Sequence, residues 1–310
     1  MRRLGKILSF IFLIANIGLI VYFNKDINKY IVDNYIYTRV SSNYTFNEYA
    51  KKEDYEFAQI VTDFTADSKQ DLVNILYTII DSGTDNFTFY CSENYHSCLN
   101  DVTDLSNDVN VLAALNNFVH PFNSYSKLYL STNKSGKIEV EIEKLYTKEE
   151  INYINNEINE IEMKTINSAT SIKDKIKAFH DYIINNTKYD SKRAELIKNN
   201  IFTDNTLASH KANGVLKNKL AICSGYTDIM TIYLNKLGIN NYKISNISHI
   251  WNLLYIDSAW VHLDLTWDDP VTSNGDNILL HEFFLIDTDT LKSFNTIQHV
   301  YDADIYQEAK

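Results

Sequence analysis

The chain has 310 residues, of which 45% are hydrophobic and 22% charged, a balance that buries a core and excludes general disorder. The formal net charge of −11 sets it against nucleic acid as a main partner, and no Lys/Arg run tracks a phosphate backbone. The three cysteines form no CxxC, and no HExxH or spaced Cys/His cluster is present, so a structural or catalytic zinc site is not expected; the sequence calls for no other metal and no cofactor.

In chain order, Met1–Lys6 carry three cations ahead of an apolar run, ILSFIFLIANIGLIVYF, over residues 7–23. At ~1.5 Å per residue the run spans ~25 Å, slightly under a hydrocarbon core of ~30 Å. Interfacial Tyr22 and Phe23 and a snorkelling Lys25 cover the deficit. Arg2, Arg3 and Lys6 place the N-terminus inside, and no small-x-small cleavage pattern follows. The pattern predicts a single-pass signal anchor at 1–24, rather than a cleaved signal peptide, with the bulk of the chain extracytoplasmic. A stalk follows at 25–45.

Residues 46–147 carry the signals of a small α+β unit. Ser68 is placed to cap a helix that Gly83 ends, and NFTFYC alternates like a strand. KLYLST and KIEVEIEKL read as two strands of a hairpin closed by NKSG. Cys91 and Cys98 either pair in a disulfide, leaving Cys223 as a free thiol, or remain unpaired core thiols. His96 and His120 stand alone and read as surface or packing residues. A connecting helix at 148–170 places Ile151, Ile154, Ile158 and Ile161 on one stripe. Ser171 and Asp174 then form a capping box ahead of Ile172, Ile176, Phe179 and Ile183, with His180 a hydrogen-bonded core histidine beside that face.

The chemistry concentrates after residue 220. Cys223 opens a helix that runs through GYTDIMTIYLNKL and stops at Gly238. Unpaired N–H groups and the dipole at that end favour a thiolate, and Gly225 leaves the mouth open to a substrate backbone. Two strands follow, joined at Asp257-Ser258. A two-residue loop there pairs Ile256 with Ala259, which puts His249, Trp251 and Asp264 on one face with His249 diagonal to Asp264. A thiol, an imidazole and a carboxylate in this order are a nucleophile, its base and the base's orienter. His262 shares the face and is the rival base, but it lies further from the helix mouth.

These motifs, IKAFHDYIINNTKYD, NGVLKNKLAICSGYTDIMTIYLNKLGI, SHIWNLLYIDSAWVHLDLTWDDP and HEFFLID, resemble the transglutaminase-like superfamily over about residues 172–290. The resemblance implies an α+β fold with a papain-like, transglutaminase-like core, a helix bearing the cysteine against an antiparallel sheet, over 171–310. It implies catalytic Cys223, His249 and Asp264, with Tyr189 as the side-chain oxyanion donor and Trp251 and Trp267 lining the cleft beside Gly225. It also implies a protein or cell-wall peptide substrate, a Cys thioester, and then hydrolysis or transfer to an amine. A silent binding or scaffolding module of the same fold is the alternative. Two positions depart from the family, which usually has glycine where Lys219 stands and often alanine where Thr227 stands.

Overall fold

The computed structural model describes residues 45–166, 171–199, 207–272 and 278–309. The anchor expected at 1–24 and nearly all of the stalk lie outside the described residues. Among the described residues no helix is long and apolar enough to cross a membrane.

The first half is built on a four-stranded sheet. Strand β1 (Thr65–Ala66) precedes helix α1 (Lys69–Ser82), and β2 (Asn86–Cys91) returns beside β1. Ser68 caps α1 by accepting from the Asp71 N–H, and Gly83 ends it at φ +78°, a left-handed conformation that glycine adopts without strain. Leu72, Ile75, Leu76, Tyr77, Ile79 and Ile80 are all buried, so α1 is covered on nearly every side. Helices α2 (Cys98–Asn107) and α3 (Val109–Phe118) follow, and the Cys91 and Cys98 sulfurs are bonded, tying the end of β2 to the start of α2. Strands β3 (Tyr125–Thr132) and β4 (Lys137–Lys144) form the expected hairpin, giving the order β1-β2-β4-β3.

Helix α4 (Lys148–Thr165) starts with a capping box of Thr147 and Glu150 and buries Ile154, Ile158 and Ile161. Helix α5 (Ile172–Asn186) starts with the predicted box of Ser171 and Asp174. It buries Ile176, Phe179 and Ile183 as expected, whereas Ile172, in the uncovered first turn, is 42% exposed. The short β5 (Lys188–Tyr189) leads to α6 (Ser191–Lys198), and β6 (Leu220–Ala221) pairs in parallel with β5.

Helix α7 (Cys223–Lys236) is the axis of the second half, with every residue from Gly225 to Leu234 buried. It packs on an antiparallel sheet of β7 (Asn241–Ser245), β8 (Ile250–Ile256), β9 (Ala259–Leu263) and later β10 (Phe284–Ile286), in the order β10-β9-β8-β7. The one-turn helix α8 (Leu265–Asp268) follows β9, and α9 (Thr288–Ser293) follows β10. The packing does not break near residue 147. The Phe118 ring lies 4.9 Å from Tyr55 and 4.6 Å from Tyr242 of β7, so the first half and the second sheet share one apolar cluster.

Lys219, where the family usually carries glycine, has φ +55°. Its carbonyl accepts from the Lys188 N–H and so joins β5 to β6. The left-handed region costs a residue with a Cβ about 1–2 kcal/mol, while glycine loses about 0.5–1 kcal/mol more chain entropy on folding. Lys219 is exposed, so its side chain offsets little. Lys219→Gly is therefore expected to raise stability by up to about 1 kcal/mol, read as an upward shift of the urea midpoint; a downward shift contradicts the account.

Candidate active site

Cys223 is the first residue of α7 and is partly exposed. The N-cap is Ile222, which supplies no side-chain acceptor; the Gly225 N–H turns back to the Ile222 carbonyl at 3.0 Å, and no capping side chain competes for the helix mouth at Cys223. Ile222 itself is fixed by donating its N–H to the Ser209 carbonyl at 2.9 Å.

The hairpin sets the other two groups. Asp257 and Ser258 have φ +51° and +66°, the turn that suits right-twisted strands, and Ile256 pairs with Ala259 through to Asn252 with Leu263. Pairing ends there. Asp264 becomes the N-cap of α8, its Oδ1 accepting from Thr266 N at 2.9 Å and Trp267 N at 3.3 Å. Its Oδ2 takes the His249 Nε2–H at 2.5 Å. Both side chains are buried.

The electrostatics follow from this geometry. Burial alone would push the His249 imidazolium down, but the Asp264 charge and hydrogen bond override it, Cys223 adds a hydrogen bond and charge from the other side, and the pKa rises to about 10. Burial pushes the Asp264 carboxyl up, yet His249, joined by His299, holds it well below the usual carboxylate range. For His249 the folded pKa exceeds the unfolded ~6.5. The pair's contribution to stability is thus complete below that value and is lost as pH rises through about 10. The drop in thermal midpoint between pH 7 and 10 is expected to be smaller in His249→Phe than in the parent; equal drops contradict the assignment.

His262, the rival base expected from the sequence, has both ring nitrogens engaged elsewhere. Its Nδ1 accepts from Trp251 Nε1 at 3.0 Å and its Nε2 meets Thr288 Oγ1 at 3.1 Å. Burial holds its pKa down to about 3. Tyr189 is half-buried and close enough to the site that, after burial, the charges of Cys223 and Asp264 help raise its phenol to about 12. Its hydroxyl therefore keeps its proton at neutral pH and remains a donor.

Two cleft-lining assignments are corrected. Gly225 faces the protein's own backbone, since a Cβ there would meet the Ser209 carbonyl oxygen at 2.7 Å; the glycine admits the Ser209–Lys211 turn, not a substrate. Trp251 is fully buried under His249, their rings stacked 5.7 Å apart at 15°, so it forms a floor. Trp267 is partly exposed and packs on His299 at 4.9 Å and Phe283 at 5.1 Å.

His281 and His299, which have no partners arguable from the sequence, both have them. His299 Nε2 meets Asp264 Oδ2 at 2.9 Å, and His281 Nε2 meets Asp181 Oδ1 at 2.7 Å. His281 opens the HEFFLID motif, but nothing in that motif points to its partner, and His299 lies outside every motif, 35 positions from Asp264. His180 is a fully buried core histidine as expected, but with two carboxylate partners, Asp181 at 2.9 Å and Asp268 at 3.1 Å, clamping α5 to α8. Among the described residues, His180/Asp181/His281 and His249/Asp264/His299 are close enough to share a metal ion. In the first group Lys177 Nζ already lies 2.7 Å from Asp181 and 2.9 Å from His281; in the second two imidazoles already occupy the Asp264 oxygen.

Fold and site together define an α+β protein in which a partly exposed cysteine at a helix mouth adjoins a buried imidazole–carboxylate pair. Residues 159–265 match the model of the Transglutaminase-like superfamily, and the α+β architecture is consistent with a core of that kind. The matched segment contains Tyr189, Cys223, His249 and Asp264, and it begins earlier and ends sooner than the 172–290 expected from motifs. No curated protein matches the chain. A crystal structure of a TGase aligns at 22% identity and TM-score 0.35, over 49% of this chain and 46% of that one. The crystal structure of a "Putative Cysteine Protease" from Cytophaga hutchinsonii aligns at 13% identity and TM-score 0.27, over 50% and 65%. The chain thus spans less than two thirds of either structure.

Proposed function

We propose that the chain is a thiol enzyme that forms a Cys223 thioester from a carboxamide of a protein or cell-wall peptide. The observation that carries the reading is the His249 ring, bonded to Asp264 on one side and acted on by the partly exposed Cys223 on the other. The Cys223 thiolate attacks the carbonyl carbon, and the resulting oxyanion takes the Cys223 backbone N–H and the Tyr189 hydroxyl. The His249 imidazolium then gives its proton to the departing amine as the C–N bond breaks, leaving the thioester and a neutral imidazole. Attack by water on the thioester regenerates the thiol and releases an acid; attack by an amine gives a new amide. Asp264 holds the ring in the tautomer that both steps need. The apolar run at residues 7–23 supports an anchored chain working outside the cytoplasm.

The reading is tested with iodoacetamide at neutral pH, followed by mass spectrometry of the Cys223 peptide. Cys223 is expected to label well ahead of a free cysteine, and His249→Ala to label at least about tenfold more slowly. Equal rates in parent and variant overturn the reading and leave a binding module of the same fold. Candidate peptides and amines offered together then separate hydrolysis from transfer by the mass of the released product.

A further inference from the structure

The Asp264 Oδ2 atom holds two imidazoles, only one of which the proposed chemistry uses. His299 is 6% exposed and sits in an aromatic box of Phe283, stacked at 5.0 Å, Trp267 at 4.9 Å and Trp251 at 5.1 Å. Its tautomer follows from its partners. A carboxylate oxygen only accepts, so Nε2 carries a proton toward Asp264. The Nδ1 atom lies 2.9 Å from Thr296 Oγ1, so both ring nitrogens have a partner. The ionisable groups facing His299 are Asp264, His249 and His262.

The turns that carry the two rings are also joined. The Asn246 amide nitrogen donates to the carbonyls of Gln298 and Val300, both at 2.7 Å, while its Oδ1 accepts from the backbone N–H of Ser248 and His249 at 2.8 and 3.0 Å. One side chain therefore fixes the turn leading to His249 against the turn holding His299.

We infer that His299 is a positioning residue, which, steadied by Thr296 and Asn246, locks the Asp264 carboxylate so that its orientation of His249 toward Cys223 is fixed. With two backbone donors on Oδ1 and two imidazole donors on Oδ2, the carboxylate has no free rotation about χ2. Without the His299 donor the carboxylate keeps three of its four donors, Oδ2 is held by His249 alone and less firmly, and the His249 ring spends less time against the sulfur. The inference rests on the thiol-enzyme reading given above.

The test measures iodoacetamide labelling of Cys223 against pH for the parent and for His299→Phe, His299→Gln and Thr296→Val, with melting curves alongside. Phe keeps the ring in its aromatic box but removes the donor; Gln returns an N–H near the Nε2 position. His299→Phe is expected to label about tenfold more slowly at neutral pH. Its acid limb should move up by about half a unit, because a less firmly held imidazolium supports the thiolate less well. His299→Gln should stay within about twofold of the parent and Thr296→Val should slow by about threefold, since a donor held in place is worth less when its own anchor is removed. A purely structural His299 would move the melting curves and leave the acid limb where it was. If the parent labels no faster than a free thiol, the enzyme reading fails. If the parent is fast and His299→Phe matches it in rate and limb, the positioning role fails. Should His299→Phe not fold, parent-like labelling by Thr296→Val overturns the inference and slowed labelling supports it.

Discussion

Asp264→Asn is expected to keep the fold, with a melting midpoint lowered by loss of the His249 pair, and to lose about 10³–10⁴-fold in turnover of a carboxamide, the size of the corresponding change in serine proteases. The reason is a tautomer. Asn keeps an oxygen for the Thr266 and Trp267 N–H groups, so the cap on α8 survives. The amide nitrogen then falls where Oδ2 now accepts from His249 and His299. A donor facing two donors forces His249 to turn its bare Nε2 toward residue 264 and its N–H toward Cys223. The ring then can no longer take the thiol's proton, and labelling by iodoacetamide at neutral pH should fall to that of an ordinary cysteine. Asp264→Ala should show the same chemical loss with an added stability cost of about 1 kcal/mol from the missing cap. An Asp264→Asn protein that melts like the parent and labels Cys223 as fast would sink the role given to this carboxylate.

What could be read in advance was local geometry and what could not was convergence. Once Asp257-Ser258 is taken as a two-residue turn, side-chain alternation places His249 and Asp264 on one face, and the pairing of Ile256 with Ala259 has that register. The capping box of Ser171 and Asp174 and the αL stop at Gly83 are written in three or four adjacent residues. His299 reaches Asp264 through a polar C-terminal stretch with no periodicity, so nothing near it in sequence signals the contact. Trp251 and Gly225 show the opposite failure. Both stand where the motif expects a cleft, but a strand face and a helix mouth serve the core as readily as a substrate, and only the Ser209 turn and the His249 ring decide between them. Joining of the two halves through Phe118 and Tyr242 was equally hidden, since apolar residues in separate segments do not say which others they will meet.

The largest stability effect is expected one turn beyond the cysteine, where α7 is fastened to its sheet by charge. Lys243 Nζ of β7 meets Asp228 Oδ1 at 2.9 Å, and both residues are buried, at 4% and 3% exposure. The other Asp228 oxygen accepts from the Tyr146 hydroxyl at 2.7 Å, and that hydroxyl accepts in turn from Ala212 N at 2.8 Å. The chain of contacts links α7, β7, the segment between β4 and α4, and the turn before β6. Lys243→Met removes the cation while leaving the carboxylate buried with a single donor, and the uncompensated charge should cost about 3–5 kcal/mol. Replacing both partners, as Lys243→Met with Asp228→Leu, removes the stranded charge as well as the attraction. The double variant should then recover much of that loss, the remainder being the Tyr146 O–H, which still accepts from Ala212 N but has lost its own acceptor, at about 1–3 kcal/mol. Urea denaturation of the two singles and the double closes the cycle. Because neither residue touches the cysteine, folded Lys243→Met should still label Cys223 within about twofold of the parent rate at a temperature well below its melt. Additive losses in the double variant would mean that the two charges stabilise α7 separately and that this pair is not what fastens the nucleophile's helix to the sheet.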